Sequence, residues 1–170
     1  MRRTIMIFPE FENMRIIDAV REQFDPLARF VRPHITLVFP FESDMSNGEL
    51  ARILHRRLAS VRPFPVCLGG FSRHIDDFGC TLFLDVRQGG EEICRISRLL
   101  YDHEFAPYDA GYPYVPHITV GKLDTPAALD DAYEAVRGLP DRFNSIVRKI
   151  SVEEIGPGEE SIIVIEQELT

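Results

Sequence analysis

Short apolar runs at strand spacing alternate along the chain with amphipathic stretches at helical spacing, and their order predicts the elements. Residues 4–8 read as a first strand and 12–24 as a helix with Ile16, Ile17, Val20 and Phe24 on one face, ended by Asp25-Pro26. After Pro33 comes an apolar run over 34–39, a strand closed by Pro40. Ser46-Asn47-Gly48-Glu49 matches a capping box ahead of Leu50, Ile53, Leu54, Leu58 and Val61, which recur at helical spacing. Residues 64–71 and 80–86 read as strands of a hairpin, with 72–79 as its turn. Gly89-Gly90 opens a helix carrying Ile93, Ile96, Leu99 and Leu100 and ending near Phe105-Ala106-Pro107. A loop rich in Tyr, Gly and Pro leads to a strand over 117–123, and Thr125-Pro126 starts a helix through Leu129, Ala132 and Val136 that stops at Gly138. Two terminal strands, 145–155 and 161–169, meet around Gly156-Pro157-Gly158. Mixed strands and helices with several hairpins predict an α+β fold with largely antiparallel sheet, not a doubly wound parallel one.

One word occurs twice in this pattern. Pro33-His34-Ile35-Thr36-Leu37-Val38 returns as Pro116-His117-Ile118-Thr119-Val120-Gly121. Each copy follows a loop ending in proline, starts an apolar strand and precedes a capped amphipathic helix, as a duplicated unit would. In a strand, residues i and i+2 share a side, so His34 stands with Thr36 and His117 with Thr119, while Ile35, Leu37, Ile118 and Val120 face the core. If the halves are related by a pseudo-twofold axis, both pairs converge on one cleft and offer four hydrogen-bonding groups to one phosphate. Two imidazoles with a pKa near ~6.5 suit acid–base work on that group, one neutral and one protonated, and the threonines would hold its oxygens. Neither copy contains H-x-H or H-E-x-x-H, so no metal site is read, and without a Gly-rich phosphate loop neither ATP nor a dinucleotide is indicated. The expectation is an enzyme with no cofactor.

Charge then narrows the partners. The chain of 170 residues carries 19 basic and 27 acidic side chains, a net charge of −8. Residues 1–88 hold 12 arginines against 11 acidic groups, a balance of +1, and the remaining residues hold 7 basic against 16 acidic, a balance of −9. A long duplex would call for a basic face, so the acidity limits the size of a nucleic-acid substrate but not its class. No apolar run reaches the ~18–20 residues of a membrane span, and residues 1–10 lack a signal-peptide core. Cys67, Cys80 and Cys94 are an odd number without C-x-x-C spacing and read as buried hydrophobes. A single domain over 1–170, cytoplasmic, is expected.

The two motifs, with Phe39-Pro40-Phe41 after the first and Val115 before the second, resemble the paired H-x-[ST]-Φ signatures of the 2H phosphoesterase superfamily, in particular its bacterial 2′-5′ RNA ligase-like members. The resemblance extends over the whole chain in motif spacing and element order. It implies a two-lobed fold with motifs at 34–37 and 117–120, each lobe an antiparallel sheet backed by helices around a central groove. It further implies metal-free, ATP-independent action on 2′,3′-cyclic phosphates or 2′-5′ linkages of a small nucleotide or RNA end, with His34 and His117 as acid and base and Thr36 and Thr119 as phosphate clamps. Which histidine is the base is left open. Ligation, the same chemistry reversed, and a nucleotide sensor without turnover are the alternatives. Two lysines only, Lys122 and Lys149, set the chain apart from many RNA-ligase members.

A nucleotide also wants a stacking surface and a cation. Alternation leaves Thr81, Phe83 and Asp85 on one side of their strand, where Phe83 either lines the groove or packs against the opposite lobe. Tyr112 and Tyr114, in the loop before the second motif, would flank a base. Arg32 precedes the first motif, and Arg73, with His74, would edge the groove from the hairpin turn. Lys122 has the parity of Ile118 and Val120, which points it toward the core.

Overall fold

The computed structural model describes residues 1–170. The apolar runs form strands β1 (Arg2–Ile7), β2 (Ile35–Glu42), β3 (Phe64–Asp76), β4 (Gly79–Gln88), β5 (His117–Leu123), β6 (Phe143–Val147), β7 (Lys149–Ile155) and β8 (Ser161–Glu168). The amphipathic stretches form helices α1 (Met14–Phe24), α2 (Asn47–Arg57), α3 (Gly90–Tyr101) and α4 (Pro126–Val136), with one 3-10 turn at Ala106–Tyr108. The strands pair, always antiparallel, into two four-stranded sheets of order β2-β1-β7-β8 and β5-β4-β3-β6. This is the expected α+β fold of two antiparallel sheets backed by helices.

The helices cross between the sheets. α1 leaves β1 of the first sheet and packs on β5 of the second, whereas α3 leaves β4 of the second and packs on β2 of the first. α2 covers β8, and α4 covers β3, β4 and β5. A continuous cluster of 33 buried apolar residues joins these layers, including Ile35, Leu37, Ile118 and Val120 beneath the two motifs. Each fully buried Leu or Ile stabilises the fold by roughly 1.5–3 kcal/mol. Both motif strands are therefore anchored from below while their polar side stays available.

Local chemistry explains where elements start. Ser46 caps α2: its hydroxyl accepts from the Glu49 N–H, and the Glu49 carboxylate accepts from the Ser46 N–H at 2.7 Å. Ser46→Ala is expected to cost about 1 kcal/mol and lower Tm by roughly 2–4 °C, read by thermal unfolding. Thr125 caps α4 through the Ala128 N–H, with Pro126 in the first turn.

Three expected boundaries move, each for a reason of pairing. β2 runs through Pro40 to Glu42, because it is an edge strand and a missing N–H on an open edge leaves no ladder bond unmade. The hairpin turn is much tighter than 72–79: Ser72 pairs with Phe83, His74 with Thr81 and Asp76 with Gly79, whose φ of +117° favours glycine. The stretch 145–155 is two strands, since β6 pairs with β3 in one sheet and β7 with β1 in the other, with the break at Arg148. No helix is long and apolar enough to cross a membrane.

Candidate active site

The motif strands β2 and β5 are each the outer strand of their sheet, and these two edges lie beside each other. That brings both His-x-Thr pairs to one groove. Each strand also carries a bulge directly after its threonine: the register slips between Ile5/Met6 opposite Val38 and Thr36, and between Leu82/Phe83 opposite Gly121 and Thr119. The bulge ends regular alternation where the motif ends. At Gly121 it brings the backbone against α1, where a Cβ would sit 3.0 Å from the Phe24 Cβ.

The prolines before the histidines set the imidazoles. His34 Nδ1 lies 2.8 Å from the Arg32 carbonyl and His117 Nδ1 2.7 Å from the Val115 carbonyl, in both cases across the intervening proline. A carbonyl only accepts, so each Nδ1 carries the proton and each Nε2 presents its lone pair. Thr119 Oγ1 is 3.1 Å from His117 Nε2 and donates to it. Burial lowers the pKa of both imidazoles because the site solvates a cation poorly, outweighing the carbonyl hydrogen bonds that favour the charged form. His117 is pushed down to about 4, with the charges of His74 and His34 adding to the effect.

Each imidazole has an aromatic neighbour. His34 meets Phe8 edge-on at 6.0 Å, and the Arg32 guanidinium sits 4.5 Å above the same Phe8 ring. His117 lies flat on Phe83, with centroids 3.4 Å apart and planes 5° from parallel, and His74 covers the opposite face of Phe83 at 3.9 Å. Phe83 is thus on the groove side, but imidazoles occupy both of its faces, so it supports His117 and offers no face to a base. The other candidates separate. Tyr114 is held to the first motif, its hydroxyl donating to the Thr36 carbonyl at 2.6 Å, and burial raises its pKa; the bond ties its loop to the strand of the first motif. Tyr112 is exposed and meets Phe78 at the hairpin tip edge-on at 5.0 Å.

Two positions need correction. Arg73 does not edge the groove: because β3 continues to Asp76, alternation turns it to the other face, where it pairs with Asp130 at 2.6 Å and lies 4.5 Å over Tyr133 of α4. Lys122 does not face the core: the β5 bulge reverses its parity and sets it opposite Thr81 on the side of Phe83 and Thr119. Ser72, His74 and Asp85 form a linked group that strand alternation through residue 76 would have revealed. Ser72 Oγ lies 2.6 Å from Asp85 Oδ1 and 3.0 Å from His74 Nε2.

A buried ion pair shapes the segment that delivers His34. Arg21 of α1 pairs with Asp25 at 2.9 Å, with residue exposures of 2% and 7%, and a second Arg21 nitrogen donates to the Val31 carbonyl at 2.9 Å. Asp25 Oδ1 accepts from the Leu27 N–H at 2.9 Å. The spacing i,i+4 was a usable sequence signal; the burial was not.

A cavity of about 680 Å³ opens beside Asp85, Val115 and Pro116 and is also lined by Arg87, Arg95 and Arg98, while a larger one of about 910 Å³ is lined by Phe8, Arg142 and Arg148 but by neither histidine. The smaller cavity adjoins the backbone that holds His117. Two imidazoles whose Nδ1 protons are committed to carbonyls, each with a threonine two residues on, can exchange protons through Nε2 with a tetrahedral anion, and the hydroxyls can donate to it.

Comparison with known proteins gives a consistent picture. The profile described as the 2′-5′ RNA ligase superfamily matches residues 8–156. A candidate phosphoesterase of Geobacillus thermodenitrificans is 30% identical over 141 residues, 81% of this chain and 78% of that protein. Among solved structures, E. coli LigT in complex with NADP+ superposes with a TM-score of 0.66 at 20% identity, covering 99% of this chain and 97% of the other. Usb1 of Kluyveromyces marxianus with uridine monophosphate gives 0.51 at 11% identity over 95% and 96%.

Proposed function

Because the chain belongs to the 2′-5′ RNA ligase superfamily, a branch of the 2H phosphoesterases, we propose that it is a phosphodiesterase that opens 2′,3′-cyclic phosphates or cleaves related 2′-5′ linkages at the end of a small nucleotide or RNA. The observation that carries this reading is the matched pair of imidazoles on adjacent sheet edges, each with Nδ1 locked to a carbonyl behind a proline and the Nε2 lone pair turned away from that carbonyl. The nucleotides bound by LigT and Usb1 in their structures, including NADP+, 3′-AMP and uridine monophosphate, support a small nucleotide as ligand.

In the proposed reaction His117 is the base. It is neutral at all but acid pH, and the Thr119 hydroxyl already marks its Nε2 lone pair. Nε2 takes a proton from water as the water oxygen attacks phosphorus. On the far side, His34 in its protonated form gives its Nε2 proton to the departing ribose oxygen, so one P–O bond forms as another breaks and a phosphomonoester and a hydroxyl result. Thr36 and Thr119 donate to the phosphoryl oxygens as negative charge grows on them. The protein's side chains supply every proton transfer in this scheme.

The pH profile follows from the directions of the shifts. A base must be unprotonated, so kcat/KM rises as pH passes above the His117 value of about 4. An acid must be protonated, so kcat/KM falls as pH passes above the His34 value, which burial places below 6.5. A bell with an acidic optimum is expected for kcat/KM, and the optimum of kcat should lie higher because a bound phosphate anion raises both imidazoles. The test is hydrolysis of 2′,3′-cyclic mononucleotides with EDTA and without ATP. Turnover under those conditions with a bell-shaped profile supports the reading; turnover only with added metal, or binding without turnover across cyclic and 2′-5′ substrates, overturns it.

A further inference from the structure

We propose that His74 is a positioning residue for His117, pressed onto it through Phe83 and held in place by Asp85 through Ser72. The inference rests on the reading of His117 as a catalytic group and adds a residue to that site. It begins with β3, whose continuation to Asp76 puts Ser72 and His74 on the groove side, opposite Phe83 and Thr81 of β4. Ser72 has one hydroxyl proton. It donates that proton to Asp85 Oδ1 at 2.6 Å, which leaves its oxygen to accept from His74 Nε2–H at 3.0 Å. The direction of each bond is thereby determined, and the His74 ring is fixed in tautomer and rotation.

The ring so held lies on Phe83 with planes 21° apart, and Phe83 lies on His117 with planes 5° apart. Three rings form one stack, anchored at one end by the Asp85 carboxylate and at the other by the Val115 carbonyl. Asp85 is also the residue directly opposite His117 in the β4–β5 register, so one strand position anchors the stack beside the catalytic ring. The stack resists rotation of His117 and also couples charge: positive charge on His74 opposes a proton on His117 one ring away. The charged and titratable groups on this side include Asp76 of β3, Asp85 and Arg87 of β4, His117 and Lys122 of β5, and His34 from the first sheet. Arg73 and Asp130 pair on the opposite face, with the sheet between.

The test uses His74→Phe, which keeps a flat ring on Phe83 but cannot titrate, together with Ser72→Ala, which cuts the link to Asp85, and His74→Ala, which removes the ring. Activity on a 2′,3′-cyclic mononucleotide and the His117 titration followed by NMR are the readouts. His74→Phe is expected to hold kcat within about threefold of the unaltered protein while the acid limb of kcat/KM and the His117 titration both move up by about one pH unit, since an opposing charge is lost. Ser72→Ala should move them the same way by less, and His74→Ala should also lower kcat by roughly tenfold as Phe83 loses its backing. Unchanged kcat in His74→Ala, with an unchanged His117 titration in the other two, would overturn the proposal. An active His117→Ala variant would instead overturn the catalytic reading beneath it.

Discussion

Replacing His117 by alanine is expected to lower kcat on a cyclic phosphodiester by about 10²–10⁴-fold with little change in KM, and His34→Ala should do the same. Each substitution removes one proton transfer and leaves the other in place. Water stands in poorly for the missing group, because the remaining imidazole is held to its carbonyl and cannot serve both sides of the phosphate. The two variants should differ in pH dependence. Without His117 the acid limb disappears, since the group that had to be neutral is gone; without His34 the alkaline limb disappears. The double variant should fall no further than about the product of the two losses. Folding should survive both changes, because each imidazole is half-buried and its partner carbonyl can take a water instead. Steady-state kinetics at several pH values check these outcomes, and a single variant as active as the original would remove that histidine from the mechanism.

The second large effect concerns stability. Asp25→Ala leaves the Arg21 guanidinium buried without its counter-ion, and breaking such a pair costs about 3–5 kcal/mol. For a chain of this size that corresponds to a fall in Tm of roughly 10 °C or more. Activity should fall further than stability alone requires, because Arg21 also donates to the Val31 carbonyl and Asp25 turns the chain at Leu27, and both shape the segment that ends at His34. Arg21→Met together with Asp25→Leu should regain much of the lost Tm, since removing both charges removes the desolvation cost with them. Activity should stay low in that double variant, because the bond to Val31 is not restored. Thermal unfolding and kcat/KM on the same samples separate the two effects.

The two motifs could be read directly because their information is local. A histidine and a threonine two apart in a strand share a side whatever the strand pairs with, and a proline before the histidine acts on the next residue only. The same holds for Ser46 and Thr125, whose capping bonds span three residues. The alternation rule misplaces Lys122, where a bulge intervenes, and the reading of 72–79 as a turn misplaces Arg73, which lies in a strand that runs on to Asp76. Ser72 goes unread in the sequence and His74 is read only as a turn residue at the edge of the groove, because nothing local shows that β3 continues past Phe71. The role of Phe83 depended on what covers its faces, and both covering rings come from other strands.

The chemistry of the groove, two imidazoles each with a hydroxyl, was written in residue order, since side-chain type and strand parity need no partner to be defined. So were the apolar faces beneath them and the α+β class. Everything that depends on which strand lies beside which was decided by packing: that β2 and β5 are neighbouring edges, that residues 145–155 divide between two sheets, and that α1 and α3 cross from one sheet to the other. Pairing energy is nearly the same for any two apolar strands of suitable length, so the choice falls to the burial of all 33 core residues at once, a sum that no local stretch of the chain contains. The same sum buried Arg21 with Asp25 and closed the stack of His74, Phe83 and His117.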